Sequence, residues 1–151
     1  MNKTVWISGS RGFVGTYLST ALKDANYELR CISNNKFNGD DISVINFSDR
    51  SEIRSALIKF GAPEIFIHLG WKNVYQIDDD CHIGLNVRNS INLIDELYAF
   101  GTKKIIFIGT VSEYGDKVGL LSESDIDNES ENNYVNGKVI VGKYGLKVAS
   151  E

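Results

Sequence analysis

Short apolar runs alternate with amphipathic stretches along the whole chain. Thr4-Val5-Trp6-Ile7 predicts a short buried strand, followed by glycines and then by a helical pattern in which Phe13, Val14, Tyr17, Leu18, Ala21 and Leu22 form one apolar stripe. Tyr27 to Ile32 predicts a second strand and Ser43 to Phe47 a weak third. Arg50 to Phe60 predicts a helix with Ile53, Leu57 and Phe60 on one face. Pro63 introduces a fourth strand over Glu64 to Leu69. Ile83 to Phe100 predicts a helix with Val87, Ile91, Ile94 and Leu97 in one stripe, Lys104 to Ile108 a fifth strand, and Tyr134 to Leu146 a final helix.

Strands that read as continuous apolar runs are buried on both faces, as in a parallel sheet covered by helices. Repeated strand–helix alternation then selects a doubly wound α/β architecture, and right-handed crossovers make 3-2-1-4-5 the natural strand order. The 151 residues suffice for one domain with its own core, without disulfides or metal. A single proline and scattered glycines mark no linker, and the polar, acidic stretch from Ser122 to Asn133 reads as a surface loop.

A net charge of −4 with no basic cluster argues against a nucleic-acid partner. Cys31, inside an apolar run, reads as a small buried hydrophobe, and the carboxylates of Asp78, Asp79 and Asp80 should raise the Cys81 thiol pKa. Three consecutive residues cannot converge on one ion from a helix, so those aspartates read as a solvated helix start and no metal is expected. The first apolar run has no basic leader, and no stretch approaches the ~20 apolar residues that cross a bilayer. The expectation is a cytoplasmic chain without a membrane partner.

Gly9-Ser10-Arg11-Gly12-Phe13-Val14-Gly15 follows the first strand and opens the first helix, the context in which a glycine loop cradles a dinucleotide. Gly9 allows a tight turn, Gly12 allows the backbone to approach a pyrophosphate, and Gly15 allows close packing of the helix. The diphosphate then meets the N–H groups and positive dipole end of that helix, beside Phe13 and Val14. These features identify a Rossmann-type fold. About 20 residues beyond the glycines, where NAD binders carry an acid for the ribose 2′-hydroxyl, the chain reads Ser33-Asn34-Asn35-Lys36. Arg11 lies in the loop facing the same region. A guanidinium and neutral donors suit a 2′-phosphate, so NADP(H) is the expected cofactor, with NAD the alternative.

Two further segments carry chemistry. Gly109-Thr110-Val111-Ser112-Glu113-Tyr114-Gly115 is a hydroxyl-rich loop at the carboxyl end of the fifth strand, where doubly wound sheets bind ligands. Tyr134 and Lys138 stand one turn apart on one helix face. An ammonium there stabilises phenolate and lowers a tyrosine pKa from about 10 toward the working range. Such a phenol can exchange a proton with a sugar hydroxyl or carbonyl while hydride moves to or from nicotinamide. His68 reads as a packed strand-end residue, Trp6 and Trp71 as core or pocket wall, and Glu113 as either a supporting group or a surface carboxylate.

Taken in order, the G-x-x-G-x-x-G loop, Ile67-His68-Leu69-Gly70, Asn86, Thr110 to Gly115 and Tyr134-x-x-x-Lys138 resemble the extended short-chain dehydrogenase/reductases, the NAD(P)-dependent epimerase/dehydratases. The resemblance spans nearly the whole chain. It implies Tyr134 as acid/base, Lys138 lowering its pKa and holding the nicotinamide ribose, and Thr110 bonding the reacting sugar oxygen. It further implies Asn46 and Phe47 beside the adenine, with Leu69, Gly70 and Asn86 along the cofactor. Gly-Ser-Arg-Gly and Gly-Thr-Val-Ser-Glu-Tyr-Gly look most like sugar-nucleotide 4-ketoreductases such as the CDP-paratose and CDP-abequose synthases. The dehydratases carry an Asp-Glu pair where this chain has Val111-Ser112, which disfavours water elimination.

Members of that family run to about twice this length, so the resemblance implies a chain that lacks the C-terminal substrate domain. An exposed fifth strand would then favour a homo-oligomer. Three readings remain open: an NADPH-dependent nucleotide-4-ketosugar reductase, an NAD-dependent 4-epimerase or dehydratase, and a dinucleotide-binding module without turnover.

Overall fold

The structure, a computed structural model, describes residues 3–36, 42–126 and 130–150. Five parallel strands make one sheet in the order β3-β2-β1-β4-β5, as the alternation of elements predicts. They are β1 (Thr4–Ser8), β2 (Glu28–Ser33), β3 (Ile42–Val44), β4 (Ile65–His68) and β5 (Lys104–Phe107). The register sets Ile7 beside both Cys31 and Ile67, so the carboxyl ends of the three central strands coincide. The helices are α1 (Phe13–Asp24), α2 (Arg50–Phe60), α3 (Val87–Ala99) and α4 (Asn133–Ala149).

Packing divides the chain into two compact units. The first is 1–71 with 92–108, and the second is 72–91 with 109–151. The whole sheet lies in the first. Successive side chains of a strand point to opposite faces, and the first unit accordingly has two apolar clusters. Trp6, Ile32 and Phe66 join Ile45, Phe47, Ile53, Leu57, Leu93 and Leu97 on one face. Val5, Ile7 and Ile67 join Leu18, Leu22 and Leu29 on the other. Cys31 packs at the margin of that second cluster, half-buried.

Local chemistry explains the boundaries. The Asp49 carboxylate accepts the Ser51 N–H at 2.8 Å and starts α2 at Arg50, and Gly61 at φ +79° ends it. Glu96, buried on α3, is held by Arg54 at 2.6 and 3.0 Å and by Arg50 at 3.4 Å, which compensates its desolvation. The third strand is shorter than the apolar run suggested: it ends at Val44, Ile45 still donates its N–H to the Ser33 carbonyl at 2.9 Å, and Ile45 and Phe47 lie in the core.

Two expectations are corrected. The apolar stripe of α1 is not all core: Leu18 and Leu22 pack on the sheet, whereas Phe13 is 84% exposed and Val14 and Tyr17 are exposed with it. The packing face runs through Gly15, which lies so near the loop that a Cβ there would sit 2.7 Å from the Ser10 Cα. Helical spacing from Gly15 reaches Leu18 and Leu22 but turns Phe13 and Tyr17 away. Second, the helix expected from Ile83 begins as a π-helical turn over His82–Asn86 before α3. In the 122–133 loop, Glu123–Asp125 form a 3₁₀ turn capped by Ser122, and residues 127–129 lie outside the described residues.

Candidate active site

The first unit builds the glycine loop. Gly9 adopts φ +75°, and a Cβ there would lie 2.7 Å from the Gly70 nitrogen and 2.8 Å from the Leu69 carbonyl carbon. No other residue fits that backbone and that approach. Gly12 donates its N–H to the Gly9 carbonyl at 3.0 Å, closing the turn. Unlike its neighbours it is open: the one heavy atom near its would-be Cβ is the Gly9 oxygen at 3.3 Å. No side chain caps α1, and its first turn holds no acidic residue. The N–H groups of that turn therefore face outward with the positive end of the dipole. Arg11, Phe13 and Val14 are exposed around them.

Ser8, which the pattern of the sequence did not single out, ties this loop to the end of β4. Its hydroxyl accepts the Gly70 N–H at 3.1 Å and lies 2.5 Å from Nδ1 of His68, while its carbonyl accepts the Leu69 N–H at 3.1 Å. Leu69 and Gly70 are thus brought against Gly9. His68 is buried, stacked on Phe66 at 5.6 Å. A polar residue closing an otherwise apolar strand was the available signal for Ser8.

At the end of β2 the Ser33 hydroxyl accepts the Asn35 N–H at 3.0 Å, and the Asn34 side-chain oxygen accepts the Phe47 N–H at 2.7 Å. This bond joins the predicted ribose and adenine segments. The Phe47 ring, however, is 6% exposed and belongs to the core, so only its backbone faces the Asn34 side. Asn46 donates its N–H to Glu52 at 2.9 Å. Residues 37–41 lie outside the described residues.

The second unit holds Thr110, Tyr134 and Lys138. Asn132 caps α4 by accepting the Val135 N–H at 3.2 Å, and the Tyr134 N–H is donated to the Ile77 carbonyl at 2.8 Å. Asn133 donates to the Asp78 carbonyl at 3.0 Å, which anchors the helix start to the aspartate segment. Asp79 there accepts the Cys81 N–H at 2.8 Å and the Asn73 amide at 2.7 Å, which hold its carboxyl below the usual range. Burial and Asp79 together push the Cys81 thiol up, the direction the sequence suggested.

The Lys138 ammonium lies 5.9 Å from the Tyr134 ring centre and is only 5% exposed. Burial lowers its pKa to about 8, while Glu113 opposes that fall. The phenol ring also packs edge-on against His82, at 5.4 Å between ring centres and 72° between planes. His82 is fully buried and Asn86 nearly so. The Asn86 amide, expected along the cofactor, bonds Lys72: Oδ1 accepts the Lys72 N–H at 3.1 Å and Nδ2 donates to the Lys72 carbonyl at 3.0 Å. Thr110 is the N-cap of a 3₁₀ turn over Val111–Tyr114, and Glu113 accepts its N–H at 2.8 Å to complete a capping box. Among the described residues no group of three or more His, Cys, Asp or Glu could hold a metal, and no helix is long and apolar enough to cross a membrane.

The family model described as NAD dependent epimerase/dehydratase family matches residues 5–149. No curated protein sequence matches the chain. Among solved structures, the chain is similar to UDP-glucose 4-epimerase from Thermotoga maritima, solved with UDP-glucose (TM-score 0.81, 20% identity, 98% of this chain and 52% of that one). It is similar also to UDP-N-acetylglucosamine 4-epimerase from Bacillus cereus (TM-score 0.83, 17% identity, 99% and 52%). A third is the enzyme WbmG from Bordetella bronchiseptica, solved with NAD and UDP (TM-score 0.78, 20% identity, 97% and 50%). The chain spans about half the length of these proteins.

Proposed function

The chain belongs to the NAD dependent epimerase/dehydratase family, and from that premise we propose that it is the coenzyme-binding and proton-transferring part of a nucleotide-sugar oxidoreductase acting at a sugar C4 hydroxyl or ketone. The observation that carries the reading is the buried Lys138 ammonium beside the Tyr134 phenol, on a helix anchored at both flanks of that phenol. A buried charge needs a reason, and stabilising a phenolate supplies one.

The residues present fit a dinucleotide. The open backbone at Gly12 admits a diphosphate that a Cβ would crowd, and the uncapped first turn of α1 offers it N–H donors. A bound nicotinamide supplies or accepts the hydride. Tyr134 gives its proton to the sugar oxygen as a ketone is reduced, and takes one back in the reverse direction. Lys138 favours the phenolate, and in the family's pattern it also bonds the nicotinamide ribose. Thr110, whose backbone is fixed by Glu113, presents its hydroxyl to the same sugar oxygen. Val111 and Ser112 offer no acid pair for eliminating water, which supports redox or epimerase chemistry over dehydration.

Within this reading NADP(H) is the preferred coenzyme. Arg11 is exposed in the loop and no carboxylate occurs over Ser33 to Lys36. Asn34 binds Phe47 through its oxygen, leaving Nδ2 as a donor. NAD-dependent 4-epimerisation is the second reading, favoured by the 4-epimerases among the similar structures. Calorimetric titration of the chain with NADPH, NADP, NADH and NAD tests both. Tighter NADPH binding is expected, retained or tighter NAD would shift the reading to epimerisation, and no affinity for any of the four would end it.

A further inference from the structure

We propose that Glu113 is a positioning residue of the catalytic centre, which fixes Thr110 and serves as counter-ion to Lys138 on the helix packed against its turn. The proposal rests on the assignment of Tyr134 and Lys138 as the proton-transferring pair. Its first support is geometric. Glu113 folds back to accept the Thr110 N–H at 2.8 Å, closing the 3₁₀ turn on itself. Its carboxylate occupies the space over Gly109, where a Cβ would lie 2.6 Å from Oε1 and 3.2 Å from Cδ. Glycine at 109 is therefore what lets the carboxylate sit where it does.

The second support is electrostatic and comes from the packing of that turn against α4. The 3₁₀ turn brings Glu113 and Tyr114 to the helix, the π-helical turn brings His82, and the aspartate segment reaches Asn133 through Asp78 and Asp80. Tyr134 and Lys143 lie on α4 itself. Of these groups, Glu113 is the one that raises the Lys138 pKa against burial. One carboxylate thus links the hydroxyl-bearing loop to the cation that supports the phenolate. A surface carboxylate would have neither partner.

The test is the titration of Lys138 in the full chain by NMR of 13Cε-labelled lysine, the signal being assigned by its loss in Lys138→Met. The native midpoint is expected near 8. Glu113→Gln should lower it by at least about one pH unit, because an opposite charge nearby shifts a pKa by roughly 1–3 units. Glu113→Asp should retain part of the effect. Gly109→Ala, which displaces the carboxylate without removing it, should reproduce the shift and serves if Glu113→Gln fails to fold. An unchanged Lys138 midpoint in a folded variant overturns the proposal. The measurement needs neither coenzyme nor substrate, so a missing dinucleotide affinity defeats the functional reading while leaving this result standing, and the reverse holds equally.

Discussion

Asn86 fixes the tautomer of His82. The Lys72 N–H and carbonyl together determine which end of the Asn86 amide is oxygen, so Nδ2 is the group that faces Nδ1 of His82, at 3.2 Å. Nδ1 must then accept, and Nε2, 2.9 Å from the Gln76 carbonyl, must carry the proton. Both ring nitrogens are engaged, and the ring packs edge-on against Tyr134. Long-range 15N–1H correlation spectra should show His82 as the Nε2–H tautomer. Asn86→Leu should destabilise the chain by about 1–3 kcal/mol in urea unfolding, since buried backbone and imidazole groups lose their partners. An Nδ1–H signal would contradict the assignment.

Tyr134 and Lys138 separate chemistry from binding. Tyr134→Phe keeps the ring against His82 and removes the proton, so dinucleotide affinity should stay within about twofold while turnover by the whole enzyme is abolished. Surviving activity would show that another group moves the proton.

Lys138 is buried at a cost in stability. Its pKa falls from 10.5 unfolded to about 8 folded, so the unfolded chain binds more protons between those values. Stability should rise with pH through that window, and the full penalty applies below it. The shift of about 2.5 units corresponds to at most ~3 kcal/mol. Lys138→Met should therefore raise Tm at pH 7 while eliminating proton transfer, and flatten the stability profile between pH 8 and 10.5. A lower Tm, or an unchanged profile, would mean that the ammonium is not desolvated.

Gly15 is the tightest point of the loop. Gly15→Ala forces the backbone of Ser10 away from α1, and overpacking of this kind costs about 1–3 kcal/mol. Denaturant unfolding should show that loss together with weakened dinucleotide binding. Gly12→Ala, with only the Gly9 oxygen nearby, should leave stability nearly unchanged and still weaken binding. If both variants bound equally well, the open face at Gly12 would not be where the diphosphate sits.

The sheet was legible because buried parallel strands are continuous apolar runs: Val5-Trp6-Ile7 and Ile65-Phe66-Ile67 admit no other reading with the glycines that follow or the proline that precedes. Periodicity misjudged α1, since a face that packs through Gly15 carries no hydrophobic residue at its centre, whereas the exposed Phe13 and Tyr17 do look like core. The π-helical turn left no trace either; Asn86, which ends it, bonds a backbone segment fourteen residues away. Tyr134 and Lys138 stood out as candidates by chemical type and spacing, and Thr110 through the family resemblance. His82 and Ser8 did not, because each matters only through a partner distant in sequence. His82 and Asn86 stand four residues apart, a helical pairing that could have been noticed.

Under the proposed function, Arg11 is the residue on which the preference for NADP(H) depends. An exposed guanidinium in the glycine loop pairs with a 2′-phosphate through charge-assisted bonds, each contributing about 1.5–3 kcal/mol. Arg11→Ala should therefore weaken NADPH binding by roughly tenfold or more and leave NADH binding within about twofold. The difference should shrink as salt rises from 50 to 500 mM, because the guanidinium is solvent-exposed and screened. Replacing Ser33 with Asp should act in the opposite sense, repelling the phosphate while offering a carboxylate to the ribose hydroxyls of NADH. Equal losses for both coenzymes in Arg11→Ala would show that the arginine steadies the diphosphate instead, and the preference for NADP(H) would fall with it.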